Sequence, residues 1–402
     1  MSQRVSDLVR ELPKSRLPAG NATDDGQFLF YVSGPAPLRC DTAIHEGNAL
    51  ILSTGGNAAV HYGQGCYSYS TDCWALEPIN QKVEAKFLYY FISSQIDRIG
   101  ILGFEGSGLR HLRKNFVRQY SVPDIARPEQ TKIAEVLSTV DRAIEQTEAI
   151  IAKQERIKTG LMQDLLTRGI DEHGNLRSEK THKFKDSPLG RIPVEWEVRA
   201  LSDLVDEDIT YGIVQAGPHI EEGVPYIRTG DMTGNNIESS KLLKTSVKIA
   251  RSYGRSSVYL GDIVFALRAT VGMVLPIMEE LNGANLTQGT AKISPKNSIS
   301  STFLLWALRT SIVKNQIRVH QKGTTFMEIT LTDLRKIKVS IPKQKKEQIQ
   351  IANRLSAQYD LNTKYILILG KLRSLKTALM QDLLTGKKSV TSLLNDAEGI
   401  IV

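Results

Sequence analysis

Three groupings in the chain have residue types that could do chemistry. Asp124, Glu129 and Lys132 lie close together, as the carboxylates and lysine of a metal-dependent nuclease would. However, Glu129-Gln130 recurs later as Glu347-Gln348 while Asp124 has no acidic counterpart, and a glutamate at a helix start is favoured by the helix dipole. Gly386-Lys387-Lys388 resembles the end of a phosphate-binding loop, but Gln381 stands where the first glycine belongs and Lys388 where a hydroxyl residue belongs. Gly55-Gly56 and Gly106-Ser107-Gly108 are too short for a dinucleotide fingerprint and read as turns. The histidines show no His-Glu-x-x-His spacing, so His61 and His111 read as surface or polyanion-facing residues, with no metal site expected. No catalytic residue can be assigned.

The elements that would position such residues are constrained by size and composition. The 402 residues carry 51 Lys+Arg against 43 Asp+Glu, a formal charge of +8, with 41% hydrophobic and 23% charged residues. These are ordinary globular values, which exclude a wholly disordered or fibrous chain. The mild basic excess permits a polyanionic partner without demanding one. No long uninterrupted apolar run occurs, and the start of the chain lacks a signal-peptide core, so a cytoplasmic protein with no membrane partner is expected. Cys40, Cys66 and Cys73 contain no C-x-x-C and read as reduced, structural thiols.

The chain is written twice. Leu161-Met162-Gln163-Asp164-Leu165-Leu166-Thr167 returns letter for letter at Leu379 to Thr385, an offset of 218 positions that also superposes Glu129-Gln130 on Glu347-Gln348 and Ile133-Ala134 on Ile351-Ala352. Upstream the offset drifts. Val5-Ser6-Asp7-Leu8 matches Leu201-Ser202-Asp203-Leu204, Gly34 matches Gly230, and Gly47 matches Gly261, leaving about 18 extra residues in the second copy between Gly230 and Gly261. Loops of different length on one frame usually mean variable recognition. Each half opens with short apolar runs such as Ala49–Leu52 and Ile263–Leu267, which read as strands, with helices expected near residues 86–95 and 302–313.

A long helix then follows in each half. From Gln130 to Thr167 and from Gln348 to Thr385 there is no proline and one glycine apiece, Gly160 and Gly370. Leu137, Val140, Ile144, Ile151, Leu161 and Leu165 mark a heptad-like stripe on the first, and Leu355, Leu369, Leu372, Leu379 and Leu383 mark one on the second. A rod of roughly 57 Å cannot bury its stripe in a small domain of its own. The simplest partner is the other copy, packed antiparallel if the halves are related by a pseudo-two-fold axis. Thr147, Gln154 and Asn362 interrupt the seam; Asn362 either sets register or faces solvent at a slightly different phase. The fold class is therefore α+β: two globular domains, each followed by a long helix, the helices pairing with pseudo-two-fold internal symmetry.

A proline followed after five residues in the first copy and four in the second by Glu-Gln-x(2)-Ile-Ala, the repeated Leu-Met-Gln-Asp-Leu-Leu-Thr endings and the re-entry Leu189-Gly190-Arg191-Ile192-Pro193-Val194-Glu195-Trp196 resemble the specificity (S) subunits of type I restriction-modification systems. The resemblance implies target recognition domains at residues 1–127 and 191–343, spacer helices at 128–168 and 344–386, a linker at 169–190 and a tail at 387–402. It further implies that each domain reads one half of a bipartite site in double-stranded DNA, and that the helices set the gap and dock two methyltransferase subunits, with restriction subunits joining the full complex. S-adenosylmethionine, ATP and Mg2+ would sit on those partners and none on this chain, which has no Pro-Pro and hence no Asn/Asp-Pro-Pro-aromatic methylation motif. The lead-in before Leu201 is absent before Val5, so the first domain is expected to be trimmed or closed by the tail.

On this reading the candidate DNA contacts in the first domain are Ser33, Ser107, Arg110, His111, Arg113 and Lys114; in the second they are Arg228, Thr229, Lys244, Arg268, Lys322, Thr324 and Thr325. Arg268 could read guanine bidentately or serve an internal ion pair. Lys241, Lys244, Lys248, Arg251 and Arg255, in the stretch with the insertion, suit phosphates or a solvated face equally. The Gly plus Ser/Thr turns could equally be ordinary loops. A coiled-coil architectural protein holding DNA by charge alone is the competing reading.

Overall fold

In the computed structural model, residues 3–79, 81–234, 236–321, 327–391 and 393 are described. The chain divides into two compact units, one of residues 1–150 with 365–402, the other of residues 151–364. Each unit therefore contains one globular domain and portions of both long helices.

In the first unit, four antiparallel strands lie in the order Val9–Glu11, Cys73–Pro78, Ala49–Ser53, Val60–Gly63. Ala49–Ser53, apolar except for Ser53, is buried throughout because both faces of the strand are covered. Leu50 and Leu52 pack with Phe87, Leu88 and Phe91 of the helix Ala85–Ser94, whereas Ala49 and Ile51 pack with Tyr31, Tyr67 and Tyr69 of a second sheet. That second sheet contains a parallel pair, Phe28–Tyr31 with Cys66–Tyr69.

The second unit has the same construction. Its strands run in the order Thr210–Tyr211, Thr290–Ile293, Ile263–Ala266, Val274–Pro276, and Ile263 and Phe265 point into one core while Val264 and Ala266 point into another. A parallel pair again joins its second sheet, Val224–Ile227 with Asn285–Leu286. The helix expected at residues 302–313 is two, Ser301–Leu308 and Ser311–His320. Arg309 ends the first and Thr310 caps the second, its hydroxyl accepting from the Val313 N–H at 3.3 Å.

The long helices are Arg127–Leu165 and Lys345–Leu383, 39 residues each. Each starts three residues before, and stops two before, the span expected from sequence, ordinary variation of a helix boundary. Their packing is antiparallel within each unit. In the first, Asp141 pairs with Lys376 at 2.7 Å and Glu148 with Arg373 at 2.7 Å; in the second, Gln154 accepts from Gln358 at 2.6 Å and Glu155 accepts from Asn362. Leu137, Val140, Leu165, Leu355 and Leu383 are buried, and Ile144, Ile151, Leu161, Leu369, Leu372 and Leu379 are half-buried. Thr147 and Asn362 are also buried on the seam; Asn362 does not face solvent.

The repeated Glu-Gln at the helix openings has a structural cause. Gln130 Oε1 accepts from the Glu84 backbone N–H at 2.8 Å and its Nε2 donates to the Ile125 carbonyl at 2.9 Å. Gln348 does the same with Ser300 and Pro342, at 2.8 and 2.9 Å. Glu84 and Ser300 are the N-caps of the equivalent domain helices, so one amide ties the long helix's start to the domain helix and to the segment that leads into the long helix. The tail closes the first domain: Val390 is buried in its core, and Ser389 and Thr391 donate to Glu129.

Candidate nucleic-acid interface

In the first unit the two-stranded hairpin Phe104–Glu105 and His111–Leu112 presents Gly106-Ser107-Gly108 at its exposed tip. Gly106 adopts φ +129, and a Cβ there would meet the Leu109 carbonyl at 2.8 Å, so the turn requires glycine. Ser107 and His111 are exposed. Arg110 and Arg113 are exposed too, but their guanidinium groups donate inward: Arg110 to the carbonyls of Gly100 at 2.8 Å and Phe104 at 3.1 Å, Arg113 to that of Leu102. The Gly100 and Leu102 carbonyls lie in the last turn of the helix Ile96–Leu102, so both arginines serve as C-terminal caps. Lys114 opens the helix Lys114–Arg118 and lies 5.2 Å from the Trp74 ring, which Arg118 approaches at 5.4 Å.

Beneath them, Glu11 accepts from Trp74 Nε1 at 2.9 Å and Arg118 Nε at 2.7 Å. Burial pushes the Glu11 carboxyl up, but the Arg118 and Trp74 donors outweigh it and hold the group below its usual range. His61 is half-buried, with Nε2 2.9 Å from the Gly34 carbonyl, and burial holds its pKa down. It is therefore not the surface residue expected from sequence. Ser33 donates to the Asp72 carbonyl at 2.8 Å. Cys40 and Cys73 are buried free thiols, and Cys66 is exposed.

In the second unit Arg228 forms an ion pair with Asp231 at 2.7 Å, three residues on, and Thr229 is half-buried against Gly289. Lys244 Nζ donates to the Glu221 carbonyl at 2.8 Å. Arg268 Nε pairs with Glu328 at 3.0 Å, both side chains being about half-exposed. Lys322, Thr324 and Thr325 lie outside the described residues. Among the described residues there is no group of three or more His, Cys, Asp and Glu placed to hold a metal ion, and no helix long and apolar enough to cross a membrane.

Sequence reasoning missed the roles of Gln130, Gln348, Glu129 and Glu347, although their recurrence at one offset was the signal that could have found them. It also left undivided the five cations near the insertion. Lys241 and Lys244 have partners within the domain. Lys248, Arg251 and Arg255 share a helical segment and are exposed.

With a doubled α+β domain, paired long helices and an exposed cationic surface in view, comparison with known proteins is informative. A family model described as the type I restriction modification DNA specificity domain matches residues 17–156 and 193–368. The chain belongs to this family, the DNA specificity subunits of type I restriction systems. It is 26% identical over 368 residues to the type I restriction enzyme MjaVIII specificity subunit of Methanocaldococcus jannaschii, covering 87% of this chain and 81% of that protein. It is 23% identical over 373 residues to the EcoDI specificity subunit of Escherichia coli, covering 87% and 79%. The fold matches the crystal structure of a type I restriction-modification S subunit from M. genitalium with a TM-score of 0.67 at 18% identity, over 95% of each chain.

Proposed function

We propose that the two domains each read one half of an asymmetric bipartite site in double-stranded DNA, while the paired helices set the gap and dock two adenine methyltransferase subunits. With restriction subunits the complex methylates or cleaves DNA. This chain is then non-catalytic; S-adenosylmethionine, ATP and Mg2+ act on the partner subunits, in the cytoplasm.

The observation that carries this reading is one anchor used twice under two different domains. Gln130 and Gln348 fasten the long helices through the same pair of hydrogen bonds, whereas the second domain has the insertion after Gly230. A fixed frame with variable surfaces suits a reader of two unlike half-sites; two identical domains would favour a palindrome. Second-helix residues Ile366, Leu367, Ile368 and Leu375 are exposed apolar side chains, which suits that helix to a protein partner.

Sequencing modified adenines in cells that express this chain with its methyltransferase partners tests the reading. Replacing residues 1–125 by another member's first domain should change one half of the motif only. Adding a helical turn to the spacer helices should change the gap and keep both halves. A motif that ignores both changes would overturn the assignment and favour an architectural role.

A further inference from the structure

The insertion in the second domain contains a cationic surface different in kind from the other candidates. The Ser246 hydroxyl caps a helix, Val247–Ser252, by accepting from the Ile249 N–H at 3.2 Å, and the 3-10 turn Gly254–Ser256 continues it. Lys248 and Arg251, three apart, share one face of the helix, Arg255 follows on the 3-10 turn, and all three are exposed. The opposite face is fixed. Ala250 and Ser256 are buried, and Asn285, itself 1% exposed, donates from Nδ2 to the Tyr253 carbonyl at 3.1 Å and reaches that of Ala250 at 3.5 Å.

The cations of this segment have no acidic neighbour within residues 246–256, and none of the three forms an ion pair among the described residues. Their neighbours contrast with them: Lys241 pairs with Glu238, Arg228 with Asp231 and Lys292 with Glu207. An unneutralised cationic row on a rigid backbone is suited to a polyanion that presents charges in a row.

We propose that Lys248, Arg251 and Arg255 form a phosphate-tracking surface that seats the second domain on the backbone of double-stranded DNA, fixing its orientation without selecting bases. This rests on the reading of the chain as a DNA-reading subunit. Phosphate contacts position and base contacts specify, so losing this surface should weaken target and non-target binding alike. Each lost phosphate contact lowers the slope of log affinity against log salt by ~0.9.

The test uses the complex of this chain with its methyltransferase partners, and two duplexes: one with the motif found from modified adenines, one of scrambled sequence. Affinities are measured over a salt series for the wild type, for Lys248→Gln/Arg251→Gln/Arg255→Gln, and for Lys180→Gln/Lys183→Gln in the linker as a control for net charge. The triple variant should show a slope lower by about 2 to 3 on both duplexes, an unchanged methylated motif and unchanged thermal unfolding; the linker variant should match the wild type. A triple variant with the wild-type slope, while the wild type still prefers its target, overturns this inference alone. A slope reduced on the target duplex only would also overturn it, by making the residues base readers. A wild type with no target preference removes the DNA-reading premise and this inference with it.

Discussion

Arg177 and Glu347 meet across 170 positions of sequence as a buried two-pronged ion pair, Nη2 to Oε2 3.1 Å, with side chains 8% and 10% exposed. Glu347 Oε1 also accepts from Trp196 Nε1 at 3.0 Å and the Ile170 N–H at 3.1 Å. Gly169, at φ +64, passes so close that a Cβ would lie 2.4 Å from Glu347 Oε1. One carboxylate thus fastens the linker and the domain's entry strand to the long helix. Removing one partner leaves an uncompensated buried charge, so Arg177→Ala should destabilise the second unit by about 3–5 kcal/mol. Glu347→Gln, which retains an acceptor for Trp196, should cost less. Chemical denaturation followed by tryptophan fluorescence checks both; equal losses would mean that the lost charge, and not the retained acceptor, sets the cost.

Glu129 occupies the repeat position of Glu347, yet it faces hydroxyls: Ser389 and Thr391 donate to it and hold its carboxyl below the ordinary value of 4.5. A carboxyl depressed in the folded state contributes stability that is complete above its unfolded value and is lost as pH falls through the lowered one. Tail attachment should therefore be constant near neutrality and weaken in acid below about pH 4.5. Limited proteolysis at residues 386–391 across pH reads this, and Glu129→Gln should flatten the dependence. Deleting residues 387–402 uncovers the Val390 site, at a cost of about 1.5–3 kcal/mol to the first unit.

How much of this could be read beforehand depends on sequence distance. The heptad stripe and the repeat were legible because helical periodicity is local, and Ala49–Leu52 declared a covered strand by its apolar run. The Arg228–Asp231 pair, three residues apart, was within reach of the same reasoning. Arg268 was not, because Glu328 lies 60 positions away, and the Gln348 anchor likewise spans 48 positions to Ser300. The break at Thr310 was hidden because threonine fits both a helix interior and an N-cap. Side-chain partners brought together by the tertiary fold leave no mark on local pattern.

The Gln130 and Gln348 anchors should be interchangeable in strength, since their four hydrogen bonds have matching lengths. Gln130→Leu and Gln348→Leu each leave a backbone N–H and a carbonyl without their amide partner. Each should cost about 1–3 kcal/mol. Hydrogen exchange gives the local test: the Glu84 amide should lose protection in the first variant and the Ser300 amide in the second, with no exchange of effects between units.

Asn362 tests whether the seam is tuned for stability or for register. It is 4% exposed, its Nδ2 donates to Glu155, and its Oδ1 has no hydrogen-bond partner among the described residues. Glu155 keeps its ion pair with Lys158 when the amide is removed. Asn362→Leu therefore exchanges a half-satisfied polar group for an apolar seam residue and should raise the melting temperature, with a gain on the order of 1 kcal/mol. A polar seam residue disfavours slipped pairing toward Leu161 and Met162, because a heptad slip of roughly 10 Å in that direction would strand it against apolar partners. If Asn362 fixes register and the chain reads DNA as proposed, the methyltransferase complex built on the stabilised variant should modify motifs with a spread of gap lengths. If it methylates a single unchanged gap while melting higher, the domain anchors at Gln130 and Gln348 set the register without it.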